Sequence, residues 1–178
     1  MKKRMLPVAF AGAALAAMLG LSGCGASLDR DVEVAGMTVS VPSNWEQKAA
    51  SDNTEAAGTV AFERFSDDSD DPYTAIEIRY ERVGEGSPAN AEEAIALIRQ
   101  EAEESLGATE WGIDEEKTEI IDGAQVTTYE YSFDKEIDRV SRTYEYKVAY
   151  VFAPEMVYGI SVYGDDAAIS DVVASIEL

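Results

Sequence analysis

The sequence predicts a layered α+β domain, two amphipathic helices with one mostly antiparallel β-sheet, behind a leader that is removed. Three observations carry this. Apolar and polar side chains alternate with period two in several stretches from residue 37 to residue 163, with turn-forming residues between most of them. Two other segments, one in mid-chain and one at the C-terminal end, place apolar residues three and four apart, as amphipathic helices do. The first 23 residues are different in kind: a basic start followed by an alanine- and leucine-rich run.

That leader reads MKKRMLPVAFAGAALAAMLGLSGC. Lys2, Lys3 and Arg4 form a positive n-region, and Pro7 and Gly12 interrupt the apolar run that follows, so it fits a secretory signal better than a spanning helix. Leu21-Ser22-Gly23-Cys24 resembles a bacterial lipobox. The resemblance implies cleavage before Cys24 and attachment of diacylglycerol to its sulfur. Two acyl chains suffice for stable anchoring, at about 0.8 kcal/mol per buried methylene. The expected organisation is a lipoprotein signal peptide at 1–23, a lipidated anchor and short stalk at 24–31, and one α+β domain at 32–178. The expected location is the extracytoplasmic face of a cell membrane.

Along the domain, Met37, Val39 and Val41 alternate with Thr38 and Ser40 as a first strand, stopped by Pro42; Trp45 follows as an apolar anchor. Residues 49–58 read as a loop, 59–65 as a second strand, and 73–82 as a third. In the third, Ile76, Ile78 and Tyr80 face one way and Glu77, Arg79 and Glu81 the other, the pattern of a sheet with one wet face. The second and third strands, joined across an acidic loop, form a hairpin.

The period then changes. Ala91, Ala94, Ile95, Ile98, Ala102 and Leu106 form one stripe of a helix over 88–106. It starts at Ser87-Pro88, or slightly later at Asn90 with Glu93 in a capping-box arrangement, and stops at Gly107. Strands follow at 115–121, 125–134, 140–152 and 157–163, turned at Asp122-Gly123, at 136–139 and at Pro154-Glu155. A closing helix carries Ile169, Val172, Val173 and Ile176 on one stripe, with Asp165 or Asp166 as its cap.

The stretch VEVAGMTVSVPSNWEQ resembles the opening of the PsbP-like superfamily, in which a strand ending in Val-Pro leads through a short polar pair to Trp. The matching positions are Val39, Val41, Pro42 and Trp45; the helix at 88–106, the later strands and the closing helix extend the likeness over nearly the whole domain. It implies an antiparallel sheet sandwiched between helices. It also implies action by binding rather than catalysis, as in members that support a photosystem's metal cofactors or bind a GTPase. No catalytic residue and no cofactor come with it.

Composition narrows the chemistry. Cys24 is the single cysteine, so its lipidation leaves no thiol, disulfide or thiolate metal site in the domain. No histidine occurs, which removes imidazole acid–base catalysis, the usual triads and the usual zinc sites. Past residue 23, 11 lysines and arginines face 35 acids, a net charge of −24. Such acidity argues against nucleic acid as a partner, because phosphate binding needs basic clusters.

Asp67, Asp68, Asp70 and Asp71 form an acidic run that offers oxygen ligands for calcium, although it lacks EF-hand spacing; a solvated hairpin tip explains the same residues. Seven of the nine tyrosines fall between residues 129 and 163. Most read as half-buried strand residues, while Tyr163 and Trp111 are the candidates for a binding surface. The reading that follows is a lipid-anchored, non-enzymatic binding or accessory module for a protein partner. The alternatives are a calcium- or small-ligand-binding lipoprotein and, more remotely, a carboxylate-based hydrolase.

Overall fold

A computed structural model of the chain describes residues 27–48, 61–66, 74–84, 86–137, 139–164 and 167–178. Its centre is a seven-stranded antiparallel sheet. The strands are β3 (Glu46–Lys48), β4 (Ala61–Ser66), β5 (Ala75–Arg82), β6 (Ala108–Ile121), β7 (Ala124–Ile137), β8 (Val140–Phe152) and β9 (Met156–Tyr163). They lie in the order β3-β4-β5-β9-β8-β7-β6. β1 (Leu28–Val34) and β2 (Met37–Pro42) form a separate hairpin. The helices are α1 (Ala91–Glu101), continued by a π-helical turn at Ala102–Leu106, and α2 (Ile169–Ala174).

The expected α+β architecture is observed, and each face of the sheet has its own cover. Hairpin β1–β2 and α2 cover one face. There Met37, Val39, Val41 and Trp45 meet Ile76, Ile78, Val126, Ala149, Val151 and Ile160, with Ile169, Val172, Val173 and Ile176 completing the cluster. Every residue of it is buried, and fully burying one such side chain is worth about 1.5–3 kcal/mol. Thr38 and Glu177 exchange backbone hydrogen bonds of 2.8 and 3.0 Å, tying the first hairpin to the C-terminal end. On the opposite face α1 covers a second cluster, built from Ala91, Ile95, Ala102, Tyr129, Tyr131, Phe133 and Val148.

Local chemistry explains the boundaries. Asn90 caps α1: its side chain accepts the Glu93 N–H at 2.9 Å, and the Glu93 carboxylate accepts the Ala89 N–H at 2.8 Å. Of the two starts open to the sequence, Asn90 is the one used. Asp122 and Gly123 both have positive φ, 49° and 86°, and Ile121 pairs with Ala124, so a two-residue turn of primed type joins β6 to β7.

Four expectations change. Leu28–Asp31, read as stalk, is the first half of β1. Asp29, Asp31 and Glu33 fill its outer face, while Leu28, Arg30, Val32 and Val34 turn inward, so charged residues mask a true alternation. β6 begins at Ala108 rather than 115, because two irregularities in its register, at 109–112 and 113–115, break the period two that sequence reading depends on. The cap of α2 is Ala168, which contributes no side-chain hydrogen bond; Asp165 and Asp166 lie outside the described residues. Leu106 leaves the apolar stripe of α1 and is 45% exposed, since the π-helical turn shifts the helical phase after Glu101.

Candidate binding site

Antiparallel register decides which side chains meet beneath α1. Arg79 on β5 stands opposite Gly159 on β9, Gly159 opposite Tyr150 on β8, and Tyr150 opposite Thr127 on β7. One row away run Glu77, Ser161, Val148 and Tyr129; one row the other way run Glu81, Val157, Phe152 and Gln125. Further along β7 and β8, Tyr131 faces Tyr146 and Phe133 faces Tyr144. The alternation of β5, read as putting Glu77, Arg79 and Glu81 on a wet face, holds in part: Arg79 is exposed and lines the cleft with the half-buried Glu81, whereas Glu77 is only 7% exposed.

The aromatic residues form a cross-strand stack. Trp111 lies on Tyr131 with ring centres 4.6 Å apart, Tyr131 on Tyr146 at 5.4 Å, Phe133 on Tyr146 at 5.5 Å and Phe133 on Tyr144 at 5.7 Å, all within 25° of parallel. Tyr163 meets Tyr146 edge-on, at 6.4 Å and 88°. The rings thus turn their faces on one another, an arrangement worth about 0.5–1.5 kcal/mol per pair beyond area burial. Both tryptophan and tyrosine named from the sequence, Trp111 and Tyr163, belong to this surface: Trp111 ends the stack on β6, and Tyr163 lines the opening beside it.

Between this floor and the helix lies a cleft of about 540 Å³. Ala94, Leu97, Ile98, Glu101, Ala102 and Leu106 roof it, and Leu97, 49% exposed, stands at its open lip with Leu106. Gly159 is the place where the floor dips. A Cβ there would come within 3.3 Å of Tyr150 Cε1, so the absence of a side chain lets the Tyr150 ring lie across β9.

The polar groups of the cleft are few and distinctive. The Arg79 Nε–H donates to Glu77 Oε1 at 2.9 Å, while the arginine side chain as a whole is 57% exposed. Burial works against its charge, but that hydrogen bond and the attraction of Glu77, with Tyr163 and Glu101 further off, hold the guanidinium above its ordinary pKa. Burial pushes the Glu81 carboxyl up, and among the described residues none donates to it or pairs with it. Tyr131 and Tyr150 are also raised, first by burial, so both phenols stay neutral well above pH 10. Neither hydroxyl has a hydrogen-bond partner among the described residues. Arg79, Glu81, Tyr150 and Leu97 are the site residues that sequence reading did not single out; the switch from period two to a helical stripe right after residue 82 was the available hint that this face is covered.

Cys24 and the acidic run Asp67, Asp68, Asp70 and Asp71 lie outside the described residues. Among the described residues no group of three or more acidic side chains is placed to hold a metal ion. A second depression, at Asp31, Ser40, Asp122 and Glu177, is lined mainly by polar surface and gives an apolar ligand little to cover.

No protein-family model and no curated protein matches the sequence. The fold has solved counterparts. The solution structure of cyanobacterial PsbP (CyanoP) from Synechocystis aligns with a TM-score of 0.59 at 12% identity, over 92% of this chain and 98% of that one. The Ran-binding protein Mog1p of Saccharomyces cerevisiae aligns at 0.51 with 16% identity, over 85% and 96%. The architecture is therefore of the PsbP/Mog1 type, as the opening motif implied.

Proposed function

We propose that this protein is a lipid-anchored, extracytoplasmic accessory module that works by binding, not catalysis, and engages a protein partner through the aromatic face beneath α1. The observation that carries this reading is the cleft itself: an apolar, half-covered floor with exposed leucines at its lip, opening beside edge-strand aromatics. Exposed apolar surface flanked by tyrosine and tryptophan is what recognition sites use. Similarity in fold to a Ran-binding protein supports a partner that is itself a protein, without indicating which. The basic start, the apolar run and Leu21-Ser22-Gly23-Cys24 support attachment to a membrane by acylated Cys24.

Two experiments test it. Metabolic labelling with a palmitate analogue is expected to mark the wild type and spare Cys24→Ala; label on the mutant removes the anchor from the proposal. Photo-crosslinking from Leu97 in the native host is expected to trap one stoichiometric protein, lost on Tyr150→Ala. Recovery of abundant surface proteins alone, or the same yield from both forms, overturns the partner reading. A second reading, a small-ligand site, is favoured by one measurement: about 540 Å³ lies within the range of small-molecule pockets.

A further inference from the structure

Arg79 and Glu81 are two residues apart on one strand and point to the same face, so their Cα atoms lie about 7 Å apart. Both line the cleft. Opposite charges so placed would ordinarily close on each other. Here they do not: the Arg79 Nε–H goes to Glu77 on the far side, and among the described residues Glu81 receives no donor. Of the five N–H bonds that a guanidinium carries, four remain without an acceptor among the described residues, and the Tyr131 and Tyr150 hydroxyls beside them are likewise unmatched there.

We infer that the cleft is a site for a small zwitterion with an apolar body, an apolar amino acid or dipeptide, whose carboxylate meets Arg79 and whose ammonium meets Glu81. The inference rests on the small-ligand reading of the cleft. Charge selects the class. A simple anion would sit beside the unpaired Glu81 in a chain of net charge −21, and would be repelled on both counts. A simple cation would satisfy Glu81 but face Arg79 across about 7 Å and leave its N–H fork empty. A zwitterion is neutral to the field of the whole chain and satisfies both ends. Its apolar part then covers Val148, Val157, Leu97 and Ile98, while the Tyr150 hydroxyl, opposite Gly159 and therefore next to Arg79, reaches the carboxylate end.

The test is isothermal titration of the full-length protein in detergent, against empty micelles, with four probes of one aromatic body. These are phenylalanine, phenethylamine (ammonium alone), 3-phenylpropionate (carboxylate alone) and 2-phenylethanol (neither). Phenylalanine is expected to bind about tenfold tighter than either single-charge analogue, the return from one further charged hydrogen bond. Glu81→Gln is expected to reduce it to the level of 3-phenylpropionate, and Arg79→Gln to that of phenethylamine. If phenethylamine or 3-phenylpropionate equals phenylalanine, or if charge adds nothing over 2-phenylethanol, the zwitterion is overturned while the small-ligand site stands. If none of the four binds, both fall. The probe series on the wild type decides this even should a variant fail to fold.

Discussion

The two faces of the sheet solve the same packing problem in opposite ways. Beneath α2 and the β1–β2 hairpin the contacts are mainly aliphatic and closed, with Val39, Val41, Ile76, Ile78, Val126, Val151 and Ile160 wholly removed from solvent and Trp45, Phe65 and Tyr158 buried among them. Beneath α1 the contacts are aromatic and incompletely covered: Tyr129, Tyr131 and Phe133 are buried, whereas Trp111, Tyr144, Tyr146, Tyr150 and Phe152 stay at the margin. The polar groups differ too. On the closed face the Tyr158 hydroxyl donates to the Ala35 carbonyl at 2.8 Å; on the open face the hydroxyls of Tyr131 and Tyr150 find no partner among the described residues. One face is finished by its own sequence and the other leaves donors and apolar surface to spare, so stability and recognition are divided between the two sides of one sheet.

Substitutions can break that division. The largest effect belongs to the closed face: Ile160→Ala, at the centre of β9, is expected to cost about 2–5 kcal/mol in chemical denaturation. A loss under about 1 kcal/mol there would mean that the aliphatic side is not the stabilising core. Next comes a matched pair. Tyr158→Phe removes a satisfied hydrogen bond and is expected to cost about 1 kcal/mol, whereas Tyr131→Phe, with no bond to lose, should stay within about 0.5 kcal/mol of wild type. Equal costs would erase the contrast between the faces.

Alkali sharpens the comparison further. Burial raises Tyr131 and Tyr150 in the folded state above the ordinary phenol value of 10.0. Below pH 10 both states hold these protons and stability is at its plateau. Above it the unfolded chain ionises first, and stability falls with rising pH. Burial raises Tyr129 and Tyr158 as well, so ultraviolet titration should show a late-ionising group of phenols that loses one member in Tyr131→Phe and one in Tyr150→Phe, and the alkaline decline should be shallower in each variant. A modest effect on stability is expected from Gly159→Ala. Its methyl group meets only the edge of the half-buried Tyr150 ring, which can give way, so denaturation should move by no more than about 1 kcal/mol while the shape of the cleft changes. A large loss would show that the ring is fixed by packing.

Much of the fold was legible because period carries it. The β8 limits, the Gly107 end of the first helix, the burial of Trp45 and the buried Ile169, Val172 and Val173 of the last helix all follow from spacing and capping chemistry, whereas Ile176, read as part of that stripe, is buried beyond the helix end. Where period was broken, by charged residues along β1 or register irregularities in β6, the reading failed. The site was legible only in part. Tyr163 and Trp111 could be named because aromatic residues on late strands are conspicuous. Arg79 and Glu81 could not, since alternation tells that residues share a face and not what lies over it.

The sequence by itself determined the segments, their period, the absence of thiol and imidazole chemistry from the domain, and the aromatic load of the later strands. Only the tertiary structure decided that β5 pairs with β9, some eighty residues away, and that α1 stands over their shared face. The reason is that side-chain period is a local property of the backbone, whereas the neighbours of a strand are set by long-range closure. The gap between Arg79 and Glu81 acquires a meaning only once a helix has closed over it.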